Sequence, residues 1–340
     1  MSALYPFLLL PEFHERVWGT RDLRPYFTRV VEGDPIGEVW LTGEECRVGS
    51  GPLAGQTLAE LSLQYGAALT GEASPQPNRF PLLIKFLFPR QKLSVQVHPD
   101  DARAHEIGQP CGKTECWYVA RALPGAQVGL GLRAGINREM FRLAIEANQA
   151  EHMLNWLDVT AGEMLYVDAG TVHAIGPNSI LVETQQNCDL TYRLYDYGRP
   201  RELHLELGMA AIKDDTHAGR VLPQSVDGHE LLVASPSFVV ERHKITAPVT
   251  LATAAGRSSV QVLVSLDGGA VVECPGAPSI SMMRGDAVVI PASSAAVTVR
   301  PQWSAELLRM TLPSQSVAEP TTNLDTGSTQ EVRHRKLGIP

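Results

Sequence analysis

The chain has 340 residues, 44% of them hydrophobic and 19% charged, and carries a formal net charge of −8. That apolar content supports a sizeable core and excludes global disorder, and the length suits two domains, or one and a half with shared strands. The acidic balance excludes a general nucleic-acid binder while leaving room for a local basic pocket that takes a phosphate.

No opening stretch combines a basic start, an apolar run and a small-residue cleavage site, and Phe7-Leu8-Leu9-Leu10 is too short for a leader or a membrane span. A cytoplasmic protein with no membrane partner is the expectation. The five cysteines, Cys46, Cys111, Cys116, Cys188 and Cys274, are odd in number and sparse, which fits free thiols in a reducing compartment. Residues 36–41 read as a strand, and residues 58–67 have helical spacing and should pack on the outside of a sheet. Residues 81–88 form a continuous apolar run interrupted by Lys85, which either snorkels to a rim or lies in a polar barrel interior.

Segment 92–119, KLSVQVHPDDARAHEIGQPCGKTECWYV, carries two strand-like runs with chemistry on one face. Alternation groups Ser94, Gln96 and His98 against Leu93, Val95 and Val97, and groups Lys113, Glu115 and Trp117 on the second run. A hairpin-like connection would set Glu115 opposite Gln96 and His98. Cys111 and Cys116 flank Glu115, but no second cysteine pair completes a thiolate site. Next, residues 136–157 offer Asn137 as an N-cap, Glu139 in the first turn and apolar stripes for two short helices, a helical insertion of about 136–158 between barrel strands.

Residues 161–176, AGEMLYVDAGTVHAIG, read as a turn at Gly162 and Glu163, a buried strand, a second turn at 168–170, and a strand beginning at His173. A histidine just past a tight turn aims into a barrel whose other wall carries Gln96, His98 and Glu115. Two imidazoles, one carboxylate and one amide oxygen suit a borderline divalent ion such as Zn²⁺. A polar strand face followed by such a histidine is the pattern of a cupin, a small double-sheet barrel that holds its metal inside. Further on, a strand carries Glu183 and Gln185 on one face, residues 187–189 turn, and Tyr192 and Arg193 point to opposite faces of the next strand. From spacing alone, Arg193 would be a surface ion pair with Asp189 or Asp196.

The Gly-acid, apolar-run and small-turn pattern of 162–173 recurs at 285–296, with Ala296 where His173 stands. Residues 230–312 also alternate short β-rich runs with Gly/Pro turns. The fold expected is mainly β: two cupin-like (jelly-roll) barrels with a small helical insertion. Residues 1–216 would be the metal-binding catalytic domain, 217–312 a degenerate second barrel without metal, and 313–340 a tail, either loosely packed or an arm lying over a domain.

QVHPDD (96–101), GKTECWYV (112–119), AGTVHAIG (169–176) and ETQQNCDLTYRLYDYGRPRELH (183–204) resemble, in order and spacing, the signature segments of type I mannose-6-phosphate isomerases in their short bacterial form. YPFLLLPEFHERVWG (5–19), IGEVWLTG (36–43) and GPLAGQTLAEL (51–61) resemble that family's N-terminal segments, so the resemblance runs to about residue 212. It implies zinc on Gln96, His98, Glu115 and His173, and an active-site role for Arg193. The implied reaction interconverts mannose 6-phosphate and fructose 6-phosphate through a cis-enediol. Lys113 and Arg193 would then add positive charge for enediolate or phosphate, with Glu183, a metal-bound water or His105 as candidate bases. Two alternatives keep the same barrel: a non-catalytic sugar- or sugar-phosphate-binding cupin, and an iron-dependent cupin oxygenase. The expected partner is a small sugar phosphate, and the expected state a monomer or weak homo-oligomer.

Overall fold

The computed structural model describes residues 4–28, 31–251, 258–313 and 322–325. Among them the architecture is mainly β, with three sheets whose pairings are all antiparallel. No helix there is long and apolar enough to cross a membrane.

Two sheets enclose the site. One runs Glu12–Thr20, Ile36–Trp40, Leu82–Leu87, Ser179–Gln186, Glu115–Ala122, Met164–Val167, Ala218–Val221 and Leu324–Asp325; the other runs Tyr192–Tyr195, Val95–Val97, His173–Ile175, Gln127–Leu132 and Leu154–Asp158. Strand alternation sorts their side chains. Trp117, Val119, Leu165 and Val167 turn into the space between these sheets. Cys116, Tyr118, Met164 and Tyr166 turn outward to a second core shared with the C-terminal residues. On the far side of the smaller sheet, Val95, Val97 and Leu194 meet Phe141 and Ile145 of the Arg138–Glu146 helix and Met209 of the Leu205–Ala211 helix.

The insertion departs from expectation in one respect. Asn137 does cap the Arg138–Glu146 helix, its side chain accepting from Met140 N–H at 2.8 Å. The second expected helix is only a 3₁₀ turn, Ala150–Met153, followed by the strand Leu154–Asp158 at the sheet edge. Leu154 and Trp156 repeat at a spacing of two, and pairing to Gln127–Leu132 satisfies their backbone where a short isolated helix would not.

The third sheet holds the C-terminal barrel, with Leu263, Val272, Val288, Ile290, Val299 and Leu307 inside. Its strand Ala287–Ile290 is the counterpart of Met164–Val167. In both copies a glycine at positive φ (Gly162, +92°; Gly285, +89°) precedes an acid that caps the turn: Glu163 Oε2 accepts from Thr160 N–H at 2.9 Å and Asp286 Oδ2 from Met283 N–H at 2.8 Å. The repeated sequence pattern is thus a repeated local structure. Strands are also exchanged between sheets. Phe7–Leu10 pairs with Ala287–Ile290 and Arg47–Val48, so the first strand belongs to the C-terminal sheet. Conversely, Ala218–Val221 pairs with Met164–Val167, and Leu324–Asp325 pairs with Ala218–Val221. That short strand is the one element of the expected tail to be seen beyond Pro313; apart from it and the preceding Thr322 and Asn323, residues 314–340 lie outside the described residues.

Candidate active site

Three buried side chains meet between the two site-bearing sheets. His98 follows Val95–Val97, and its carbonyl accepts from Gly170 N–H at 2.9 Å. Gly170 takes φ +94°, a left-handed value that suits glycine, and Thr171 N–H donates to the Asp168 carbonyl at 3.1 Å. This turn delivers His173 to the start of its strand. Each imidazole has its Nδ1 against a backbone carbonyl: His98 to Leu190 O at 3.0 Å and His173 to Thr171 O at 2.9 Å. A carbonyl only accepts, so Nδ1 carries the proton and Nε2 keeps its lone pair. Those lone pairs face Glu115, with His98 Nε2 3.5 Å from Oε2 and His173 Nε2 3.3 Å from Oε1.

The ligand atoms of His98, Glu115 and His173 all lie within 4.8 Å of one another, and no other such group occurs among the described residues. His98 Nε2 and both Glu115 oxygens are buried without a hydrogen-bond partner. Burial lowers the His173 pKa to about 4 and His98 well below its usual value, so both rings are neutral. Burial, then the nearby Glu183, pushes the Glu115 carboxyl up to about 8. Two free imidazole lone pairs around an orphaned carboxylate fit a divalent cation. Gln96 sits beside them, its Nε2 3.2 Å from His173 Nε2 and its Oε1 accepting from Ser94 Oγ at 3.0 Å. A half-turn of the amide would present Oε1 to the cluster and Nε2 to Ser94 Oγ, which can equally accept.

The hairpin expected to set Glu115 opposite Gln96 and His98 does not exist. Gln96 pairs in register with His173 and Arg193 in the smaller sheet, whereas Glu115 pairs with Val167 and Gln185 in the larger one. The chain between them holds the Asp101–Glu106 helix and crosses from one sheet to the other, so these side chains converge across the barrel interior.

Beside this cluster, and reaching it at Gln96, opens a cleft of about 570 Å³ lined by Gln96, Lys113, Glu183 and Arg193, together with Arg16, Glu38, Lys85 and Arg201. Lys113 Nζ lies 3.5 Å from Glu115 Oε2. Arg193 donates from Nη1 to Glu202 O at 2.8 Å, and its Nε is buried without a partner. Its expected surface partner Asp196 is bound instead by Arg199 and Arg201, each at 2.7 Å. His105, by contrast, lies against Pro110 O in a separate cavity and does not reach the cleft.

The family model for the phosphomannose isomerase type I catalytic domain matches residues 7–118. The mannose-6-phosphate isomerase of Streptococcus mutans is 34% identical over 299 residues, 84% of this chain and 92% of that protein. The chain belongs to the type I mannose-6-phosphate isomerase family. Mannose-6-phosphate isomerase ManA of Bacillus subtilis is 39% identical over 220 residues, covering 61% of this chain and 68% of that protein. A crystal structure of the Bacillus subtilis mannose 6-phosphate isomerase superposes with a TM-score of 0.80 at 28% identity, covering 90% of this chain and 99% of that one. The family expected from the segments between residues 5 and 204 is the family found, and its fold is the cupin-like one described above.

In this isomerase the charged groups around Glu183 form a network that sequence reading left half assembled. Lys85, 2% exposed, points into the barrel interior and not to the rim, with Nζ 2.9 Å from Glu183 and 3.7 Å from Glu38. Glu183 also accepts from Trp117 Nε1 at 2.9 Å, and Glu38 accepts from Arg16 Nε at 3.0 Å and Trp40 Nε1 at 2.8 Å. Neither Glu38, Arg16 nor Arg201 was singled out from sequence. A usable sign was there: Glu38 and Lys85 are single charges within otherwise apolar strands, and such charges are buried only when paired.

Burial opposes the Glu38 charge, but Lys85 and Arg16 outweigh it and hold the carboxyl down at about 2. The carboxylate therefore adds stability that is complete above the usual value of 4.5 and is lost as pH falls towards 2. The expected size is about 3 kcal/mol. Urea midpoints measured from pH 6 to pH 2 should fall more steeply in the native protein than in Glu38→Gln; parallel slopes would remove Glu38 from the acid transition.

Proposed function

We propose that this isomerase holds one divalent cation, Zn²⁺, on Gln96, His98, Glu115 and His173. It acts on mannose 6-phosphate and fructose 6-phosphate, moving a proton between C1 and C2 through a cis-enediol, with Lys113, Arg193 and Glu183 as catalytic residues. The observation that carries this reading is the buried His98–Glu115–His173 cluster with its unpartnered donor atoms, in contact with Gln96 and Lys113 of a cleft lined by charges of both signs. When bound, the cation supplies Lewis-acid charge that favours negative oxygen on the sugar.

The chain's own groups do the rest. Burial opposes the Glu183 charge, yet Lys85 and Lys113 outweigh it and lower its pKa, so at neutral pH it is a carboxylate able to accept the C2 proton and return it to C1. The Lys113 ammonium, a compact charge on the cleft wall, stabilises oxygen as it becomes negative. The Arg193 guanidinium offers a planar fork to enediolate or phosphate oxygens. Lys85 and Trp117 fix the Glu183 carboxylate by their contacts at 2.9 Å, a positioning task. Because the histidines lie on one sheet and Glu115 and Glu183 on the other, the substrate would sit between two rigid walls.

The test is a coupled assay of mannose 6-phosphate turnover to fructose 6-phosphate before chelation, after it, and after zinc is restored, with bound metal measured alongside. Turnover lost with the metal and regained with zinc is the expected result. Full turnover of metal-free protein would refute the cation's role.

A further inference from the structure

Two cysteines that the isomerase reaction does not use lie together behind the cleft. Cys111 lines a second cavity of about 520 Å³, bordered by Arg79, His105 and Pro236, on the other side of the loops that carry Lys113 and Leu190. Its Sγ is 3.7 Å from the carbonyl oxygen of Asn187, the residue before Cys188, and Cys188 is 3% exposed. Both are free thiols.

The scaffold pins the two loops side by side. Thr114 N–H donates to Gln186 Oε1 at 2.9 Å, Gln186 N–H donates to Thr114 O at 3.2 Å, and Gln185 Nε2 donates to Cys188 O at 2.5 Å. Asn187 is tied to Phe80 O at 2.7 Å, and Gly112 N–H to Asp101 Oδ1 at 2.7 Å. The sulfurs are therefore held together by backbone and amide bonds that do not depend on them. The remaining cysteines differ: Cys46 and Cys116 are fully buried in a core, and Cys274 lies in the C-terminal barrel.

We propose that Cys111 and Cys188 are a redox-modification site, a dithiol that a hydroperoxide entering from the Cys111 cavity oxidises to an intramolecular disulfide. One sulfur, as thiolate, attacks a peroxide oxygen; the O–O bond breaks, leaving a sulfenic acid and releasing alkoxide or hydroxide. The second sulfur then attacks the sulfenic sulfur, displaces hydroxide and closes the S–S bond. The two thiol protons convert the leaving groups to water and alcohol, or to two waters with hydrogen peroxide, and two electrons pass from the dithiol to the peroxide. Charge favours Cys188 as the thiolate: the neighbouring Cys111 thiol, the Leu190 N–H, Lys113 and Arg79 together lower its pKa against the opposing effect of burial.

The cross-link reaches the active site along short covalent paths. Cys111 is two residues before Lys113, and Cys188 two before Leu190, whose carbonyl holds His98 Nδ1 at 3.0 Å. Drawing the sulfurs into bonding distance shifts both loops.

The experiment treats the metal-loaded protein with a small excess of hydrogen peroxide, blocks free thiols, and maps cysteine-linked peptides by mass spectrometry. The expected product is the Cys111–Cys188 linkage, with Cys46 and Cys116 still thiols. Turnover should fall roughly tenfold or more, as when the support of a ligand is disturbed, and dithiothreitol should restore it. Cys188→Ser should give no linkage and keep its own untreated turnover under the same treatment. Recovery of Cys111 and Cys188 as blocked free thiols after treatment overturns the proposal, as does equal loss of turnover in the native protein and Cys188→Ser. The turnover arm rests on the isomerase reading above; the peptide map does not, so a failure of either is told apart.

Discussion

His98→Ala and His173→Ala should each lower bound metal to well below one equivalent and reduce turnover at least 100-fold. Disturbing only the outer support of a metal ligand costs about 10- to 100-fold in affinity or activity, and these changes remove a ligand outright. The fold should survive. Both rings are neutral, their backbone contacts are single Nδ1 bonds to Leu190 O and Thr171 O, and neither belongs to a strong ion pair, so far-ultraviolet dichroism should match the native protein. Metal content by atomic emission, measured beside turnover, makes the result decisive: a variant that retains one equivalent of metal would exclude that histidine as a ligand. Glu115→Gln gives an independent reading. In chelated protein the Glu115 carboxyl, held up at about 8 by burial and then Glu183, removes stability as pH rises from 4.5 through 8, because the unfolded chain has already released that proton. The glutamine lacks this loss, so metal-free Glu115→Gln should be the more stable of the two above pH 8.

Arg193→Ala should lower turnover by about 10² to 10³-fold, the range seen when one preorganised stabiliser of negative oxygen is removed. Metal content and urea midpoint should remain close to native. Its guanidinium is anchored only by the Glu202 carbonyl at 2.8 Å and forms no ion pair among those described, so little of the fold depends on it. Arg193→Lys should recover part of the loss, since a point charge replaces the charge but not the planar fork. If Arg193→Ala turned over at the native rate with full metal, its catalytic role would be refuted. The same substitution at Arg201 should act differently, because Arg201 neutralises buried Asp196 and its removal leaves that carboxylate with Arg199 alone.

Much of this was legible in residue order because strands write their faces at a period of two. Gln96 and His98 against Val95 and Val97, and Trp117 against Cys116, are sorted by alternation, and the turn before His173 is announced by Asp168-Ala169-Gly170. Alternation says which residues share a face, not which strands share a sheet. That is why Glu115 was expected across a hairpin from His98 when it stands on the opposite wall, and why nothing in Phe7–Leu10 foretold a partner near residue 288. Lys85 left two outcomes open because its partners Glu38 and Glu183 come from strands far apart in sequence. Residues 150–157 misled for a related reason: Met153, Leu154 and Leu157 fit a helical stripe, while the alternation of Leu154 and Trp156 fits the strand that a neighbouring edge was available to pair.

The exchange of the first strand into the C-terminal sheet sets an order of events during synthesis. Phe7 and Leu9 are buried in the finished protein, but their main partner, Ala287–Ile290, is synthesised roughly 280 residues after them. At typical elongation rates the N-terminal strand waits roughly 15 to 60 s for it, with only Arg47–Val48 to pair with in the meantime. The two sheets around the site, whose strands apart from Leu324–Asp325 lie between residues 12 and 221, can close during that interval, and Phe7–Leu10 is stitched in afterwards. A chain released early would therefore carry His98, Glu115 and His173 together with an unpaired apolar strand, a nascent product suited to capture by chaperones and poorly suited to remaining dispersed.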